Sequence, residues 1–107
     1  MQYSVNMSAT DQNSQASDKK LNARHILLAD RVTADDVLRH LKDGKIFEDL
    51  AKKYSQCPSA PQGGDLGNLF GKKNIDPDFL EALELLKPGQ NSGVVRTRFG
   101  YHLIQRY

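Results

Sequence analysis

The sequence predicts an α+β fold in which helices pack on a small, mostly antiparallel sheet. Three features carry that prediction. Short aliphatic runs suited to strands stand near both ends of residues 21–107, segments with helical apolar spacing lie between them, and turns rich in Gly and Pro separate the pieces. The order reads β-α-α-β-α-β-β. A chain of 107 residues has room for one core and not two.

Arg24-His25-Ile26-Leu27-Leu28 is the first strand candidate. Thr33 then reads as the start of a helix, with Asp36 three residues on in a box-like cap and Ala34, Val37, Leu38 and Leu41 on one face. Gly44 stands where a helix end favours a left-handed residue. Phe47, Leu50, Ala51 and Tyr54 form a second helical face. Pro58, Pro61 and Gly63-Gly64 then predict an ordered turn over residues 55–64, and residues 65–70 a short strand. Asp76 as cap with Pro77 at the first position starts a third helix, burying Phe79, Ala82, Leu83 and Leu86; Lys87-Pro88-Gly89 stops it. Strands over residues 92–97 and 101–106 follow, joined through Arg98-Phe99-Gly100. On the last one His102 and Ile104 share a face, and Tyr101 and Leu103 share the other.

Composition narrows the function classes. Fifteen basic against thirteen acidic residues give a net charge of +2, too little for nucleic-acid binding by bulk charge. Residues 1–20 are polar, with Asp11 and Asp18 offsetting Lys19 and Lys20, so they supply neither a basic arm nor a secretory apolar region. They are expected to form a disordered tail ahead of a domain over residues 21–107. No run approaches the length of a membrane span. The lone Cys57 excludes an internal disulfide framework and a cysteine-rich zinc site. The expectation is a soluble cytoplasmic monomer, unless the chain was cut from a longer secreted chaperone.

Three polar residues stand in apolar or turn-rich settings: His25, Cys57 and His102. Taken singly, a strand histidine is more often a hydrogen-bonded core residue than a catalyst, and a lone cysteine more often a small hydrophobe than a reactive thiol.

Taken together and in order, the motifs carry more. His25-Ile26-Leu27, Tyr54-Ser55-Gln56-Cys57-Pro58-Ser59, Gly63-Gly64-Asp65-Leu66-Gly67, Lys87-Pro88-Gly89-Gln90 and Phe99-Gly100-Tyr101-His102-Leu103-Ile104 resemble the successive signatures of the parvulin family of peptidyl-prolyl isomerases. The resemblance runs from Leu21 to the end of the chain. It implies a four-stranded antiparallel sheet surrounded by helices, with two histidines adjacent at its centre. It further implies that His25 and His102 are the family's paired histidines, Cys57 its site cysteine or aspartate, and Thr97 the hydroxyl beside that pair. Leu66, Ile75 and Phe79 match its proline pocket, with Leu69 and Phe99 as further substrate-binding residues.

The chemistry suits those residue types. Turning an Xaa-Pro bond means crossing a barrier of about 18–20 kcal/mol set by amide resonance. A 10⁵-fold acceleration corresponds to roughly 7 kcal/mol. No bond breaks, so neither nucleophile, metal nor cofactor is required, and proline-containing polypeptides are the expected partners. An apolar pocket that grips the ring and desolvates the peptide favours the twisted amide, whose charge separation is smaller. The imidazole pair has a second reading as a buried network that holds the sheet register.

Two departures from the family stand out. Where phosphate-directed parvulins carry a long basic loop, this chain has only Ala29-Asp30-Arg31-Val32, so phosphate recognition is not expected. Residues 68–79 hold an extra residue, which leaves the methionine-like pocket position on Asn74 or Ile75. Lys72, Lys73, Arg96 and Arg98 favour an acidic residue before proline if they converge, and otherwise form a solvated surface, the preferred reading. A non-catalytic proline-peptide-binding chaperone module is the alternative function. A Cys-His thiol hydrolase lacks an oxyanion-hole signature, and a metal site on His25, His102 and Cys57 is less favoured than a closed network.

Overall fold

The computed structural model describes residues 20–107; the tail expected at residues 1–20 falls outside them except for Lys20, which is exposed. Strand β1 (Asn22–Leu28) is followed by helices α1 (Arg31–Lys42) and α2 (Phe47–Tyr54), a 3₁₀ turn (Ala60–Gln62), β2 (Asp65–Asn68), α3 (Pro77–Glu84), β3 (Val95–Thr97) and β4 (Gly100–Arg106). The four strands form one antiparallel sheet in the order β2-β1-β4-β3. The central pair is β1 and β4, the first and last elements of the fold. Joining them brings residues almost eighty positions apart into register, with Leu27 opposite His102 and His25 opposite Ile104.

The sheet separates two apolar layers because side chains alternate along a strand. Ile26, Leu28 and Leu103 pack with Ala34 and Val37 of α1 and with Phe47, Leu50 and Ala51 of α2. On the opposite face Ala23 and Ile104 pack with Leu21 and with Phe79 and Leu83 of α3. His25 and His102 fall on this second face, in the alternation expected for β4. Among the described residues no helix is long and apolar enough to cross a membrane.

Several boundaries differ from those read in the sequence, each through a side chain that competes for the backbone. Helix α1 is capped by Asp30, not Thr33. The Asp30 Oδ1 accepts from the Thr33 amide at 2.8 Å, and Asp36 is taken up by Arg39. Strand β2 stops at Asn68 because Asn68 Oδ1 accepts from the amides of Leu21 at 2.9 Å and Phe70 at 3.0 Å, which turns the chain. Strand β3 begins at Val95. Upstream, the Ser92 hydroxyl accepts from the Ile104 amide at 2.9 Å in place of a backbone carbonyl. Helix α3 starts as expected, with Asp76 Oδ1 accepting from Asp78 N at 2.9 Å and Pro77 at its first position.

Candidate active site

The site lies where β1, β3 and β4 meet the N-terminus of α3. His25 projects from β1 and His102 from β4, two residues apart in register and so on the same face, and their rings stack at 5.2 Å and 18°. Their Nδ1 atoms are 3.1 Å apart, which requires one to donate and the other to accept. On its far side His102 meets Thr97 of β3, with 2.8 Å between Nε2 and Oγ1, and the Thr97 oxygen also accepts from the Phe99 amide at 3.1 Å. Phe79 of α3 sets its ring edgewise to both imidazoles, at 5.5 Å from His25 and 5.3 Å from His102.

Two proton arrangements satisfy this chain. In one, Thr97 donates to His102 Nε2, His102 Nδ1–H donates to His25 Nδ1, and His25 keeps a proton on Nε2. In the other every direction reverses and His25 Nε2 carries a lone pair. Both leave the same end open: His25 Nε2 is buried and has no hydrogen-bond partner among the described residues. Burial disfavours the imidazolium, so the His25 pKa is pushed down from 6.5 to about 4, with the neighbouring His102 charge adding to the effect. His102 is also lowered by burial, against which the Asp76 carboxylate pulls. At neutral pH the pair is uncharged.

The segment before β2 is fastened to β1. Ser55 Oγ accepts from Leu27 N at 3.0 Å, Gln56 N donates to Leu27 O at 2.8 Å, and His25 N donates to Gly64 O at 2.9 Å. A Cβ on Gly64 would stand 2.2 Å from the His25 carbonyl oxygen, and its φ is +81°, so this close approach demands glycine. The tyrosine-to-glycine motif thus carries Cys57 to the side of His25.

A cleft of about 220 Å³ opens on the imidazole pair, lined by His25, His102, Cys57, Phe79, Leu66 and Ile75 together with Leu69, Phe99 and Asp76. Its lining is almost wholly apolar. The five residues expected to bind substrate, Leu66, Leu69, Ile75, Phe79 and Phe99, all line this cleft, whereas Asn74 is exposed and is not among the lining residues. Of the four expected catalytic residues, His25, His102 and Thr97 are hydrogen-bonded in a row. Cys57 lines the cleft without joining them, and Thr97 stands behind His102 rather than in the lining. The four cations do not converge: Arg96 lies over the Tyr101 ring at 5.9 Å, Arg98 pairs with Asp76, and Lys72 and Lys73 are exposed. Sequence reasoning missed Asp76 as a site residue because its capping role already explained it. Among the described residues no group of three or more His, Cys, Asp or Glu side chains could hold a metal ion.

Sheet order, paired histidines and an apolar cleft together define a parvulin-type domain. The family model for the rotamase, PPIC-type PPIASE domain matches residues 28–107, and the chain belongs to that family. It is 47% identical over 87 residues to the foldase protein PrsA of Bacillus subtilis, covering 81% of this chain and 30% of that protein. The crystal structure of PrsA from Bacillus subtilis superposes with a TM-score of 0.79 at 43% identity, over 90% of this chain and 38% of that one. The solution structure of NmPin, the parvuline of Nitrosopumilus maritimus, gives 0.73 at 33% identity, over 83% of this chain and 96% of its own. The chain therefore spans about a third of the length of its foldase relatives. The cytoplasmic placement expected from the sequence finds no support in them.

Proposed function

We propose that the chain catalyses cis/trans isomerisation of exposed Xaa-Pro bonds in unfolded or flexible protein segments, and thereby assists folding. The observation that carries this reading is an apolar cleft ending on a neutral imidazole pair with one open nitrogen. Phe79, Leu66 and Ile75 grip the pyrrolidine ring, and Leu69 and Phe99 flank it. The preceding carbonyl turns beside His25 and Cys57.

Amide resonance places negative charge on the carbonyl oxygen and positive charge on nitrogen, and both fade as the bond twists. A dry site without a fixed cation stabilises the twisted amide over the planar one, which is differential binding of the transition state. Neutral His25 meets that requirement, and its single open nitrogen can orient the moving carbonyl. Thr97 and His102 hold the His25 ring in place. Cys57 contributes shape and polarity and forms no covalent bond.

Phosphate recognition has no part in this reading. Only Ala29 and Asp30 link β1 to α1, Asp30 is spent on the helix cap, and Arg31 pairs with Asp35 at 3.4 Å. The domain acts as a monomer, without nucleic acid or membrane.

The test is refolding of a protein whose slow phase is set by proline isomerisation, lasting tens of seconds. Catalytic amounts of the chain are expected to accelerate that phase. An unchanged rate with stoichiometric binding overturns the assignment and leaves a holding chaperone.

A further inference from the structure

The cleft has two walls from distant parts of the chain. One is the N-terminus of α3, which carries Ile75 and Phe79; the other is the β3–β4 hairpin, which carries Thr97, Phe99 and His102. The Phe79 ring already lies edgewise to His102 across them, and one charged side chain, Asp76, also reaches both. Asp76 Oδ1 accepts from the amides of Asp78 at 2.9 Å and Phe79 at 3.4 Å, and its Oδ2 lies 3.5 Å from Arg98 Nε on the hairpin. The carboxylate is almost wholly buried, with 8% of its side chain exposed, whereas Arg98 is 75% exposed and lies over the Phe99 ring at 5.1 Å.

We propose that Asp76 is a positioning residue of the isomerase site: its ion pair with Arg98 ties the hairpin to the start of α3 and so fixes the width of the proline cleft. This inference rests on the isomerase reading above. The two carboxylate oxygens are engaged separately, Oδ1 by the amides of the helix start and Oδ2 by the ion pair with the guanidinium, so the carboxylate couples the two walls. Asp76 is also the carboxylate closest to acting on the histidine pair. The groups that face His102 are Asp76 at the start of α3, His25 from β1, Thr97 from β3 and Cys57 across the cleft, and Arg98 is the cation paired with Asp76.

The test compares Asp76→Asn, Arg98→Gln and the double variant on the full chain. Asparagine caps a helix as well as aspartate, so α3 is retained while the charge is removed. Each single variant is expected to raise KM for an Xaa-Pro peptide about fivefold with a smaller change in kcat, and the double variant is expected to do no more than either one. In Asp76→Asn the His102 titration midpoint, followed by NMR, moves to lower pH, and the Phe99 amide resonance shifts; a cap with no further role moves neither. Additive effects on KM, or a His102 midpoint unmoved in Asp76→Asn, overturn the proposal. Failure of the isomerase reading shows separately, as a wild-type chain without catalysed exchange, and the His102 and Phe99 resonances then still decide whether Asp76 links the walls.

Discussion

The Nδ1 atoms of His25 and His102 face each other at 3.1 Å, each ring delivered by one of the two central strands. Two nitrogens at that distance share one proton, so the pair is stable only while at least one of them offers a lone pair. The sheet register, the proton count and the open Nε2 of His25 are thus one arrangement.

Acid disrupts it. The folded pKa of His25 lies near 4 while an unfolded histidine sits near 6.5, so on acidification the unfolded chain takes up its proton first. The stability tied to the neutral pair is fully present above pH 6.5 and is lost as pH falls towards 4, on the order of 3 kcal/mol at the bottom of that window. His102 acts in the same direction. The lowered carboxyl groups of Asp30 and Asp65 act below that window. Urea denaturation between pH 7.5 and 4 reads the slope; a flat profile refutes the neutral pair.

Thr97 bonds at once to His102 Nε2 and to the Phe99 amide. Thr97→Val removes the partner of the buried His102 Nε2 and of the Phe99 amide, and is expected to cost about 1–3 kcal/mol. Catalysis falls with it, because the His102 tautomer is no longer fixed. Thr97→Ser keeps the hydroxyl and is expected to stay within about 1 kcal/mol of the parent. Equal losses in the two variants assign Thr97 to packing alone.

Gly64→Ala drives a methyl group into the His25 carbonyl and forces a strained φ, so losses of about 3 kcal/mol or more are expected, with a displaced His25. Gly71→Ala is the control. Its φ is +76° but nothing lies within 4 Å of the added carbon, and about 1 kcal/mol is expected. Thermal denaturation of the two variants separates contact from backbone strain.

Phe79→Ala removes a side chain that is 5% exposed and stands edgewise to both imidazoles. The expected cost is about 3–5 kcal/mol in stability. Phe79→Leu retains most of the volume and is expected to fold while raising KM, because on the proposed reading the ring of Phe79 is the surface that receives proline. Unchanged KM in Phe79→Leu moves the proline ring elsewhere.

Much of this was legible in the sequence, for identifiable reasons. Strong alternation placed His102 and Ile104 on one face of β4, and the Asp76-Pro77 start located α3, because both signals are local. The pairing of β1 with β4 is not local; only the ordered motifs, through their resemblance to a family, linked His25 to His102. Helix and strand ends were misplaced wherever a polar side chain displaced a backbone partner, as Asp30, Asn68 and Ser92 do. Which of Asn74 and Ile75 lines the cleft needed the loop geometry. Asp76 stayed hidden as a site residue because a cap signal does not report what the second carboxylate oxygen meets.

The most direct measurement is NMR exchange spectroscopy on an Xaa-Pro peptide panel, with Xaa as Leu, Ala, Glu and phospho-Ser, using the wild-type chain and Cys57→Ala. Catalysed exchange in both proteins, without enhancement by phosphate, is the result expected of a non-covalent isomerase built on the imidazole pair. Exchange that stays at the uncatalysed rate while peptide resonances shift refutes catalysis, and complete loss in Cys57→Ala alone refutes the non-covalent mechanism.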